Sequence, residues 1–138
     1  MKEVKYIPLD LVKADKNPNI IWKVKDVSQD KRGNVLYRVV AAEDNDAFIY
    51  LYEHQIASVP LTPEILEKNG WYKEPSENVT WYKYRTDKSY LYICKDSFNN
   101  KDWLVCVALD KHCVANINYV HQLQHILFGL GLNLEMEV

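Results

Sequence analysis

His121 and His125 stand four residues apart in Asn118–Leu130 (NYVHQLQHILFGL), a spacing that puts both imidazoles on one face of a helix. Two such histidines can ligate zinc, but the zinc-protease pattern also needs a glutamate beside the first of them. Gln122 holds that place, and an amide cannot act as a general base. A third ligand would have to come from Cys113, His112 or His54. His112 and Cys113 are adjacent, which invites a thiol–imidazole pair, yet neighbouring side chains on an extended segment point apart. A reactive thiolate also needs an electropositive setting that these residues do not guarantee. No G-x-S-x-G, P-loop or G-x-G-x-x-G occurs, and four glycines leave little material for a phosphate-cradling loop. A metal- or thiol-dependent enzyme using His121, His125, His112 and Cys113 is therefore the reserve reading, and no metal or cofactor is expected.

The aromatic content points elsewhere. Ten Tyr and four Trp, against three Phe, favour rings that join a large apolar area to a polar tip, as interfaces do. Tyr82, Tyr84, Tyr90 and Tyr92, with Trp81 nearby, could line one exposed sheet face. His121, Gln124, His125 and Phe128 could extend that surface from the last helix, since Phe128 is apolar yet off the helix's main stripe. The competing reading is that these rings cover the edge of the core.

The chain has 138 residues, enough for one domain or two small lobes, and for a core that folds without disulfide or metal. The formal charge is −2 and evenly spread, so no basic field is present to release counterions from a nucleic acid. Lys13, Lys16, Lys23 and Lys25 make the nearest thing to a basic patch. The N-terminus MKEVKYIPLD lacks the apolar stretch of a secretory signal, and no run approaches the roughly 18 apolar residues of a spanning helix. Three cysteines without CxxC spacing suit a reducing compartment, which gives a cytoplasmic expectation.

Alternating and β-branched runs predict about five short strands in the first 60 residues: Leu9–Val12, Ile20–Lys25, Val35–Ala41, Phe48–Tyr52 and Gln55–Val59. Short strands joined by small turns suggest an SH3-like barrel over residues 1–59. Thr62 and Pro63 then open a short helix, Leu61 and Leu66 staple it, and Gly70 closes it. Thr80–Thr86, Ser89–Lys95 and Trp103–Leu109 read as an antiparallel meander. A final helix capped by Asn118 carries Val120, Leu123, Leu127 and Leu130 as its apolar stripe, expected to pack on that meander. Asn133–Val138 could add an edge strand. The expected class is α+β, with a β-rich lobe at 1–59 and a helix–meander–helix lobe at 60–138, or both merged in one compact domain.

Val59–Trp71 (VPLTPEILEKNGW), a meander, and then Asn118–Gln124 (NYVHQLQ) resemble a family of small uncharacterised proteins of gut-bacterial genomes, their prophages and phages. The likeness spans about residues 59–132. It implies a phage or mobile-element setting and no nameable activity or catalytic residue. It raises the expectation of a non-enzymatic interaction protein in a bacterial host, with a host or phage protein as partner. Homo-oligomerisation stays open, and the lack of a spanning apolar run gives no membrane partner. The alternative is a nucleotide or nucleic-acid binder that uses the N-terminal lobe, with Trp22, Lys23 and Lys25 as platform and charge. The even charge disfavours it.

Overall fold

Alternation from Asn17 to Gln29 builds the longest strand among the described residues, and the first sheet is arranged around it. That sheet contains β1 (Leu11–Ala14), β2 (Asn17–Gln29), β3 (Val35–Ala41), β4 (Asp44–Tyr52) and β5 (Ile56–Ser58), in the order β4-β3-β2-β1-β5. All pairings are antiparallel. β2 serves two neighbours: Asn17–Lys23 pairs with β1, and Trp22–Gln29 pairs with β3 across an irregularity between Val24 and Asp26. A single 3-10 turn at Glu53–Gln55 separates β4 from β5. The computed structural model describes residues 4–75, 79–85, 90–95, 102–107 and 112–138. Among these no pairing joins β4 to β5, so the first sheet is open where the sequence suggested a closed SH3-like barrel.

One face of this sheet carries the core: Tyr6, Val12, Trp22, Val24, Val35, Tyr37, Val39, Leu51 and Ile56 are all buried. The β2–β3 loop is tied by Asp30, whose carboxylate accepts from the backbone N–H groups of Arg32 and Asn34 at 2.9 Å each. Gly33 supplies the left-handed residue (φ 82°) that this loop requires.

The second sheet is a plain meander, β10-β9-β8-β7-β6, made of β6 (Tyr72–Pro75), β7 (Thr80–Arg85), β8 (Tyr90–Lys95), β9 (Trp103–Val107) and β10 (His112–Ile117). Two of its strands, β6 and β10, extend the three-stranded meander that the sequence predicts. Short helix α1 (Pro63–Lys68) precedes it, and the expected punctuation is in place. Thr62 Oγ1 accepts from Ile65 N–H at 3.3 Å, Leu61 and Leu66 are buried, and Gly70 has φ 86°. The indole N–H of Trp103 donates to Leu61 O at 3.1 Å, fixing the helix entry to the sheet. Thr62→Ala removes that cap and is expected to cost about 1 kcal/mol, read as a lowered urea midpoint.

Helix α2 (Val120–Gly129) starts one residue later than its Asn118 cap predicts. Tyr119 is the cap, and its N–H donates to Gln122 Oε1 at 3.1 Å. By spatial grouping the chain divides into Met1–Pro60 with Tyr119–Met136, and Leu61–Asn118 with Glu137–Val138. The last helix thus belongs with the first sheet, whereas its sequence position grouped it with the meander. Hydrogen bonds explain the grouping: Gln124, fully buried on α2, accepts from Leu11 N–H and donates to Leu9 O. Asn133–Val138 is not a strand; in the second unit, Asn69 pairs through its side chain with the backbone of Glu137. No helix of the described residues is long and apolar enough to cross a membrane.

Candidate functional site

The meander does not present four tyrosines on one face. Tyr82 lies opposite Ile93 and Tyr84 opposite Leu91, whereas Tyr92 lies opposite Lys83 and Tyr90 opposite Arg85. Directly opposed residues share a face, so Tyr82 and Tyr84 project to one side and Tyr92 to the other. Tyr82 is 5% exposed and meets Trp103 edge-on, with ring centroids 6.0 Å apart. Tyr92 is 4% exposed and meets Trp81 edge-on at 6.1 Å. Tyr84 is half-buried against Trp71 at 5.1 Å. Tyr90's side chain lies outside the described residues. These rings are packing groups, so the expected aromatic binding face is corrected.

The helical residues divide differently. Phe128 is 62% exposed, as its off-stripe position predicts. His121 and Gln124 are buried, at 4% and 0% exposure, because both fall on the covered side of α2. His125 is partly exposed, and its Nε2 lies 2.6 Å from Asp10 Oδ2. Asp10 is itself fully buried and accepts from Ile7 N–H at 2.9 Å. Burial pushes its carboxyl above the ordinary range, against the pull of the Ile7 and His125 hydrogen bonds. His121 packs edge-on to Tyr6 at 4.9 Å, and burial lowers its pKa to about 4, helped by the nearby His125 and Lys5 charges.

Two buried polar atoms of this cluster, Asp10 Oδ1 and His121 Nδ1, have no hydrogen-bond partner among the described residues. The turn that delivers Asp10 is strained as well, since Leu9 has φ 77°. An Asp–His pair can orient an imidazole as a general base, but among the described residues no hydroxyl or thiol bonds to His125. No group of three or more His, Cys, Asp or Glu side chains among them could hold a metal ion. The cluster acts instead as a polar tie between α2 and the Ile7–Asp10 turn. His112's side chain lies outside the described residues, so the His112–Cys113 pair does too. Trp22, the proposed stacking platform for bases, is 8% exposed and belongs to the first core, which removes it from that role.

Two neighbouring exposed aromatic rings stand on β4, where periodicity suggested only a short apolar strand. Phe48 is 52% exposed and Tyr50 is 54% exposed. They share the face opposite the core and meet edge-on at 6.0 Å. Arg38 reaches Phe48 at 6.0 Å while pairing with Asp26 at 2.6 Å, so its charge is already balanced. The same row continues to Tyr52, which stacks on His54 at 5.9 Å. There an open concavity of about 610 Å³ is lined by Asp30, Arg32, Asn34, Val35, Tyr52, Glu53 and His54.

Tyr52 OH donates to Asp30 Oδ2 at 3.1 Å, fixing the ring that walls the concavity. The Asn34 N–H, followed by those of Arg32 and the Tyr52 hydroxyl, holds the Asp30 carboxyl below its usual range. Accepting that hydrogen bond, the Asp30 carboxylate raises the Tyr52 phenol. β4 has only β3 as a neighbour among the described residues, so its far edge carries unpaired peptide groups. Exposed Glu43, Asp44 and Asp46 flank one end of the strand, and exposed Glu53 the other. The sequence carried one signal for this site: the unusually aromatic run Phe48–Tyr52 placed between acidic residues. Compared with family models, curated proteins and solved structures, the chain matches none of them.

Proposed function

We propose that this is a non-enzymatic binding protein that receives an extended polypeptide segment along the outer edge of β4. The carrying observation is the nine-residue edge strand with Phe48 and Tyr50 more than half exposed beside it. A peptide added there would gain main-chain hydrogen bonds from the open edge and side-chain contacts with the aromatic row. Such strands are normally blunted, and a long apolar edge marks a pairing site.

Charge narrows the occupant. The apolar centre Phe48–Ile49–Tyr50 is bracketed by Glu43, Asp44 and Asp46 at one end and Glu53 at the other. The fitting segment has alternating apolar residues with Lys or Arg at its ends. A second copy of this chain fits worse, because antiparallel pairing centred on Phe48 would bring Glu43 of one copy to Glu53 of the other. The order β4-β3-β2-β1-β5, with β2 shared between β1 and β3, supports an SH3-like reading of the sheet that carries the edge. On the family resemblance, the segment would belong to a phage or host protein.

Selection of a random peptide library on the native protein tests this. Enriched sequences are expected to alternate apolar residues between basic ends and to lose binding at least tenfold with Phe48→Ser/Tyr50→Ser. Both side chains are exposed, so each substitution changes stability by no more than about 0.5 kcal/mol. Selected peptides that bind the double variant equally well would end the proposal.

A further inference from the structure

We infer that Cys113 and Cys106 form an oxidation site, closing a disulfide between β10 and β9 when a low-molecular-weight disulfide is supplied. Cys113 lies directly opposite Cys106 in the antiparallel ladder. Opposed residues in such a ladder have Cα atoms about 4.5–5.5 Å apart. That lies within the roughly 4.4–6.8 Å that a disulfide spans. By register both residues belong to the same face of the sheet.

The two thiols differ in access, which sets the order of events. All three cysteines are present as thiols, with Cys113 exposed and Cys94 and Cys106 buried. Cys113 sits at the ladder irregularity that leaves Val114 without an opposite residue, and Val114 is 51% exposed. An extra residue of this kind re-aims its neighbours' side chains. The Cys113 thiol makes one weak hydrogen bond, to Ala115 O at 3.7 Å, and little holds it in place.

In the first step the Cys113 thiolate attacks one sulfur of the reagent RSSR. The reagent's S–S bond breaks, and one thiolate leaves to take up a proton. In the second step the Cys106 thiolate attacks Cys113 Sγ and expels the other reagent thiolate. The protein loses two hydrogens and two electrons, and RSSR is reduced to two RSH. Cys94 does not compete. It lies opposite Leu104, which places it diagonal to Cys106, and diagonal neighbours stand about 7–8 Å apart, too far to bond in place. The product staples the outer strand β10, which has β9 as its only sheet neighbour among the described residues.

The test treats the native chain with glutathione disulfide, alkylates the remaining thiols and maps the products by mass spectrometry. Lys111 lies between Cys106 and Cys113, so trypsin separates the two and a cross-link is read directly. The expected product joins Cys106 to Cys113 within one chain, reverses with dithiothreitol and leaves Cys94 as a thiol. Cys113→Ser should leave Cys106 unmodified, and Cys106→Ala should trap glutathione on Cys113. Should Cys106→Ala fail to fold, the wild-type map and Cys113→Ser still decide the matter. A persistent glutathione adduct on wild-type Cys113, a Cys94–Cys106 bond, or bonds between chains only would each overturn the inference.

Discussion

Gln124→Leu is expected to destabilise the protein by on the order of 4 kcal/mol. The amide is fully buried and makes three backbone hydrogen bonds of 2.9 Å, accepting from Leu11 N–H and donating to Leu9 O and Leu134 O. Leucine fills a similar volume but leaves the buried Leu11 N–H and two part-buried carbonyls without these partners. Each orphaned group costs about 1–3 kcal/mol, while a domain of this size has only about 5–15 kcal/mol in total. Gln124→Glu should also fail, because a carboxylate cannot donate to either carbonyl. Phe128→Ser, on the exposed side of the same helix, should stay within about 0.5 kcal/mol of wild type. Urea denaturation of the three variants makes the comparison. A Gln124→Leu midpoint equal to wild type would mean that this side chain does not pin the helix.

The second large effect is with pH. His121 has a pKa of about 4 in the folded protein, chiefly through burial, against the ordinary 6.5 that its unfolded form recovers. Between those values the unfolded chain binds a proton that the native protein refuses. The stabilising contribution is therefore fully present above about 6.5 and is lost as pH falls towards 4, a change on the order of 3 kcal/mol. Asp10 works in the opposite sense. Its folded-state pKa is raised, so just above the ordinary 3.8 the native protein binds the extra proton and acidification favours folding. Wild-type stability should fall as pH is lowered from about 7 to about 4.5, because His121 titrates over most of that range. His121→Phe, which keeps a ring beside Tyr6, should make the profile much flatter. Parallel profiles for the two proteins would show that His121 is not the responsible group.

Much of the local structure was legible because it is written in short-range chemistry. Thr62, Pro63 and Gly70 fix α1 through capping, a missing donor and a left-handed residue, and none of these depends on a distant partner. Val35–Ala41 reads as a strand over its whole length for the same reason. The errors lie where parity or distance decides. Periodicity puts Tyr82 and Tyr84 on one face, yet only the cross-strand register, Tyr82 against Ile93, says that Tyr92 faces the opposite way. The apolar stripe of α2 was likewise visible, but not the sheet that it joins. A buried glutamine beside Leu123 and Leu127 was the available sign, since a polar residue among apolar ones needs partners, and Leu9 and Leu11 supply them from over a hundred residues away. Phe48–Tyr52 reads as a short apolar strand, and its composition does not say which side is covered. Its place at the end of the strand order leaves one side of it open.

Amide hydrogen exchange across β4, with and without a library-selected peptide, bears most directly on the proposed function. If an extended segment adds to the outer edge, alternate amides between Asp46 and Leu51 should slow markedly on binding, while those of β7 and β8 stay unchanged. Unchanged exchange along β4 in a saturated complex, or protection confined to the second sheet, would contradict it.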